Sequence, residues 1–131
     1  MNDKKKFLAK IIAIDSEGLQ IVSACCEGAK VRLSDIKYLK SNKVFLFSLK
    51  RKQVEKDKNK QINSICKFDF IDQVKSKNIN QKTKDEILEL KAIDYLKNKK
   101  DYEINLIFDN NRYIVLNAET IEARLEDQNE I

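Results

Sequence analysis

The stretch that most constrains this chain is a hairpin near its end. Tyr102-Glu-Ile-Asn-Leu-Ile-Phe108 and Arg112-Tyr-Ile-Val-Leu116 flank the turn Asp109-Asn110-Asn111. Apolar residues recur at every second position in the first arm, the period of a strand with one buried face, and Tyr113 to Leu116 make an apolar second arm. Asn and Asp tolerate the left-handed backbone that such a turn requires. A chain built on this hairpin needs further strands and a cover for the apolar face. The run that follows, Asn117-Ala-Glu-Thr-Ile-Glu-Ala-Arg-Leu-Glu-Asp127, reads as a capped amphipathic helix with Ala118, Ile121 and Leu125 on one side. It predicts a C-terminal lid over the sheet.

Upstream, the same two periods alternate. Phe7 to Ile14 is rich in β-branched residues and reads as a first strand. Asp15-Ser16-Glu17 is an N-cap cluster, and Leu19, Val22, Ser23 and Cys26 then share one helical face. Gly28 is a natural stop, so residues 16–27 are expected to be helix. Strands are expected over 30–39, 43–49, 65–74 and 87–96, with turns at Ser41-Asn42 and 97–100 and a polar loop over 76–84. Phe45, Phe47 and Leu49 take one face of their strand, Val44 and Leu46 the other. With no repeat, linker or proline, the 131 residues form a single domain of α+β class. The expected architecture is an antiparallel meander sheet or half-closed barrel, pleckstrin-homology-like in topology. An N-terminal helix and a C-terminal capping helix complete it.

Composition excludes much chemistry. There is no histidine, so histidine-based triads and zinc protease or deaminase motifs are ruled out. Gly18 and Gly28 are the only glycines and cannot build a phosphate-cradling loop. Three cysteines, with Cys25 and Cys26 adjacent, suit buried thiols in a reducing cytoplasm better than a disulfide framework. No apolar run is long enough for a membrane span. Asp15, Glu17 and Asp35 read as a cap and a turn rather than a catalytic carboxylate pair. No catalytic residue, metal ligand or cofactor is expected.

The net charge of +5 is unevenly placed: residues 1–65 carry 15 Lys/Arg against 7 Asp/Glu, and residues 66–131 carry 11 against 14. Lys50 to Lys60 is the most basic stretch. Arg51, Lys52, Lys56, Lys58 and Lys60 are its candidate anion-binding residues, for nucleic acid or anionic lipid. A solvated hairpin connection is the plainer reading of the same residues, since lysine supplies nearly all the charge and aromatic platforms are few.

The runs Lys10-Ile-Ile-Ala-Ile-Asp15, Val22-Ser23-Ala24, Ser34-Asp-Ile-Lys-Tyr-Leu39, Gln73-Val-Lys-Ser-Lys-Asn-Ile79 and Thr120-Ile-Glu-Ala-Arg-Leu125 with Asp127 carry a resemblance. Together they are similar to domain of unknown function family 2948, a small bacterial family found mainly in alphaproteobacteria. The chain departs from that family's pattern at Lys75 and Lys77, where arginine is usual, at Gly28, where an acid is common, and over Lys50-Arg-Lys-Gln53. The resemblance implies a stand-alone bacterial domain and brings no activity, cofactor or site residue.

The leading functional expectation is a non-enzymatic binding or adaptor module that recognises a protein or peptide partner at a sheet edge or groove. Asp15, Asp35, Glu122, Arg124 and Asp127 are its candidate polar positions. Arg124 is expected to pair with Glu122 or Asp127, or to reach Asp35 or Asp15. A short edge strand leaves a homodimer through a sheet edge open.

Overall fold

The computed structural model describes residues 8–53 and 60–130. Strand β1 (Lys10–Ala13) leads into helix α1 (Ser16–Cys26), then β2 (Ala29–Arg32), a 3-10 turn at Leu33–Asp35 and β3 (Ile36–Leu39). A second 3-10 turn at Lys40–Asn42 precedes β4 (Val44–Lys52), β5 (Gln61–Phe68) and β6 (Ile71–Lys77). Strands β7 (Ile87–Lys97), β8 (Tyr102–Phe108), β9 (Arg112–Ala118) and β10 (Ala123–Glu130) complete the chain. All form one open antiparallel sheet in the order β1-β10-β5-β4-β2-β7-β8-β9-β6, with β3 on the first half of β4.

Helix α1 forms where the capping cluster indicates. The Asp15 side chain accepts from Gly18 N at 2.8 Å, and Glu17 sits in the positive first turn. Gly18 in that turn has a packing reason: a Cβ there would lie 2.8 Å from Ala13 Cα, so α1 rests directly on β1. Gly28 follows the helix at φ +82°, a backbone that favours glycine. The helix buries Leu19, Val22, Cys25 and Cys26 against the sheet. Below it lie Phe45 and Phe47 of β4, Phe68 of β5, Leu88 and Leu90 of β7, Leu106 of β8 and Leu116 of β9. Burying each such side chain contributes about 1.5–3 kcal/mol. The Phe45 ring sits 6.1 Å from that of Phe47 and 6.4 Å from that of Phe68.

The hairpin at 102–116 forms as read, with Asn110 and Asn111 at φ 56° and 57°. The C-terminal helix does not. Residues 123–130 are strand β10, seated between β1 and β5. Ile121, Ala123 and Leu125 are buried and alternate with half-buried Glu122, Arg124 and Glu126. A helix would have grouped Ile121 with Leu125 but turned Ala123 away from the core. Two strand edges awaiting a partner outweigh the weak local preference for helix. The lid over the sheet is therefore α1.

Two expected strands are interrupted. The 3-10 turn Leu33–Asp35 separates β2 from β3, and Phe70, at φ 61°, separates β5 from β6. Phe70 is exposed at that corner. The first strand is shorter than read, and Phe7 lies outside the described residues. The α+β class and the antiparallel meander are as expected: β3-β4-β5 and β7-β8-β9 are runs of consecutive neighbours, while β6 joins β9 and β10 returns to β5.

Candidate functional site

The inward faces of β4 and β10 continue past the core into a polar cluster. After Phe45, Phe47 and Leu49 the next inward residue is Arg51; after Ile121, Ala123 and Leu125 it is Asp127. Both side chains are 0% exposed, with Arg51 Nη2 donating to Asp127 Oδ1 at 2.8 Å. Ser64 of β5 donates to the same oxygen at 2.7 Å, and Ala9 N donates to Asp127 Oδ2 at 2.9 Å. The carboxylate thus joins β10 to β4, β5 and the lead into β1. Gln53, inward again, is buried, and its Nε2 has no hydrogen-bond partner among the described residues.

This placement changes the meaning of several candidate residues. Arg51 is held inside by Asp127 and presents no charge to an external anion. Lys52 and Lys60 are exposed on either side of the β4–β5 connection, where Gln53 N donates to Lys60 O; Lys56 and Lys58 lie outside the described residues. Asp15 is the helix cap, and Asp35 is exposed at the end of its 3-10 turn. Arg124 reaches Glu126 at 3.7 Å rather than Glu122, Asp127, Asp15 or Asp35. Glu122 contributes its carbonyl, which accepts from Asp69 N. The five polar candidates do not converge on one cleft.

A different site emerges where the sheet fails to close. Strand β3 pairs only with β4, and β6 only with β9, so the outer edge of each has no ladder partner among the described residues. The two edges face one another. At one end they are tied by Tyr38 Oη donating to Ile71 O at 2.8 Å, with Ile71 N donating to Lys43 O. At the other end the 3-10 turn before β3 is bonded to the segment before β7, Leu33 N donating to Glu86 O and Ser34 N to Lys84 O. Between these ties lies a slot of about 340 Å³. Its walls are Ile36 and Tyr38 of β3 and Val74 and Ser76 of β6, and core residues Phe45 and Ile114 form its floor. Gln81 crosses the mouth, its Nε2 donating to Ser76 Oγ at 3.0 Å.

The slot's surroundings are electrostatically sorted. Lys43, at φ 57° beside the lower tie, holds Glu119 at 2.6 Å and Asp72 at 3.1 Å. Those hydrogen bonds, to Glu119 first and then Asp72, push the Lys43 ammonium well above its ordinary pKa. Beyond the upper tie Arg112, only 7% exposed, holds Glu86 at 2.6 Å and Asp109 at 2.7 Å. Burial works against the charge on Asp109, but the Glu89 backbone amide and Arg112 outweigh it and hold that carboxyl below the usual range. In contrast, Lys37 on β3 and Lys75 and Lys77 on β6 are exposed and have no ion-pair partner among the described residues.

The sequence contains a signal for these residues. In β3 Lys37 stands between Ile36 and Tyr38, and in the second half of β6 Lys75 and Lys77 alternate with Val74 and Ser76. What it lacks is the pairing order that leaves these two strands at free edges.

The family model described as "Protein of unknown function (DUF2948)" matches residues 9–131. The chain belongs to that family. Comparison with curated proteins gives no match. Among solved structures the chain is similar to an uncharacterized protein from Neisseria gonorrhoeae. The two share 16% identity with a TM-score of 0.49, over 88% of this chain and 96% of that one. No helix among the described residues is long and apolar enough to cross a membrane.

Proposed function

We propose that this protein is a non-catalytic binding module of the bacterial cytoplasm that takes an extended segment of a protein partner along the free edges of β3 and β6. The observation that carries this reading is the slot, floored by Phe45 and Ile114, between two strand edges that have no ladder partner among the described residues. A free edge offers backbone N–H and C=O groups to an added strand, and a pocket beside it receives alternate side chains. The odd cysteine count and the absence of histidine suit a reducing compartment and argue for binding rather than acid–base chemistry.

The test is a screen of strand-length peptides against isotope-labelled full-length protein. Binders should shift the amide signals of Ile36–Leu39 and Val74–Lys77 together. The variant Ser76→Trp, which places a ring in the slot from an exposed position, should remain folded and lose those shifts. A panel of extended apolar peptides that leaves both segments unmoved would remove the proposal.

A further inference from the structure

The slot has an inside and an outside, and the two differ in chemistry. On β6, Val74 and Ser76 face inward, whereas Gln73, Lys75 and Lys77 face outward. On β3, Ile36 and Tyr38 face inward and Lys37 faces outward, where it is exposed. A strand laid between them must adopt the same alternation, because side chains of neighbouring strands at matching positions share a face. Its inward residues enter a slot floored by Phe45 and Ile114. Its outward residues fall beside Lys75 and Lys77 on one flank and Lys37 on the other.

Charge availability decides what those outward residues should be. Glu103, beside Lys75 and Lys77 on the outward face, and Asp35, just ahead of β3, carry no ion pair among the described residues, but three carboxylates near the slot are already engaged: Asp72 and Glu119 by Lys43, Glu86 by Arg112. The lysines of both flanks are not, among the described residues. Opposite charges on directly facing residues stabilise a strand pair, and like charges destabilise it. Resting on the reading of the slot as a strand-accepting site, we infer that the partner segment alternates acidic and apolar residues. Its aliphatic side chains enter the slot, and its carboxylates lie across Lys75, Lys77 and Lys37. The apolar side chains are small in number, since about 340 Å³ is at the low end of ligand-sized cavities.

The experiment titrates the full chain with three capped peptides sharing the same Val and Leu positions and carrying Glu, Gln or Lys at every other position. Signals of Val74, Ser76 and Ile36 report occupancy of the slot. The Glu peptide should bind about tenfold more tightly than the Gln peptide at low salt, the sum of several exposed cross-strand pairs. The advantage should shrink as salt is added. In the Lys75→Glu/Lys77→Glu variant, whose changed residues are exposed, the preference should pass to the Lys peptide. Equal binding of Glu and Gln peptides with slot shifts intact would overturn the acidic specificity and leave the strand-accepting site standing. No slot shift with any of the three would overturn both. A single-stranded oligonucleotide that shifts the lysine-bearing strands and is not displaced by the Glu peptide would also overturn the inference.

Discussion

The two margins of this sheet use the same kinds of residue in opposite ways. At the β1–β10–β5–β4 margin a lysine-rich sequence turns one arginine inward, pairs it with one aspartate, and hides both from water. At the β3–β6 margin the cations remain on the surface and the apolar lining is left accessible. The first margin spends charge on closure. The second leaves strand edges and lysines available. At the first, β10 fills the space between β1 and β5, while among the described residues no strand lies between β3 and β6.

The sharpest way to break the closed margin is Asp127→Ala. It removes the Asp127 carboxylate from the buried Arg51 guanidinium, and urea denaturation should show a loss of about 3–5 kcal/mol. The double variant Arg51→Met/Asp127→Leu removes both charges and should recover most of that loss. If it does not, the cluster has a role beyond mutual neutralisation. Next comes Gly18→Ala, which forces a Cβ to within 2.8 Å of Ala13 Cα and must lift α1 from β1. A destabilisation of about 1–3 kcal/mol is expected, seen as a lower urea midpoint.

The hairpin beyond the slot should respond to acid. Asp109 has a lowered folded-state pKa, so its contribution is present above the unfolded value of about 3.9 and is lost as pH falls through the lower folded value. Thermal unfolding of Asp109→Asn should be less stable than wild type near neutrality, and the difference should narrow progressively in strong acid. The smallest effect belongs to the open margin. Lys43→Ala removes two exposed ion pairs and should leave the urea midpoint nearly unchanged. A large loss there would show the lower tie to be as structural as Arg51–Asp127.

Helix α1, the terminal hairpin and most strands were legible because each is a local pattern: a capped helical face, or alternation ended by turn residues. The polar cluster was legible in part. The inward series Phe45, Phe47, Leu49 already contained Arg51 as its next member, although composition placed Arg51 in a basic loop. The final strand shows how two periods can overlap in one short run. Ile121 and Leu125 fit a helix face, but only alternation also buries Ala123 and Asp127.

The sequence by itself determined most of the apolar residues that avoid water, where helix α1 begins and stops, and the turn at Asp109-Asn110-Asn111. Those are short-range matters of burial, capping and backbone sterics. The tertiary structure decided that residues 123–130 extend a sheet, that Arg51 meets Asp127 across 76 positions of chain, and that β3 and β6 face each other with no ladder between them among the described residues. These outcomes depend on which strand edges remain to be satisfied once the others have paired. No single segment carries that information, because it belongs to the order of strands in the completed sheet.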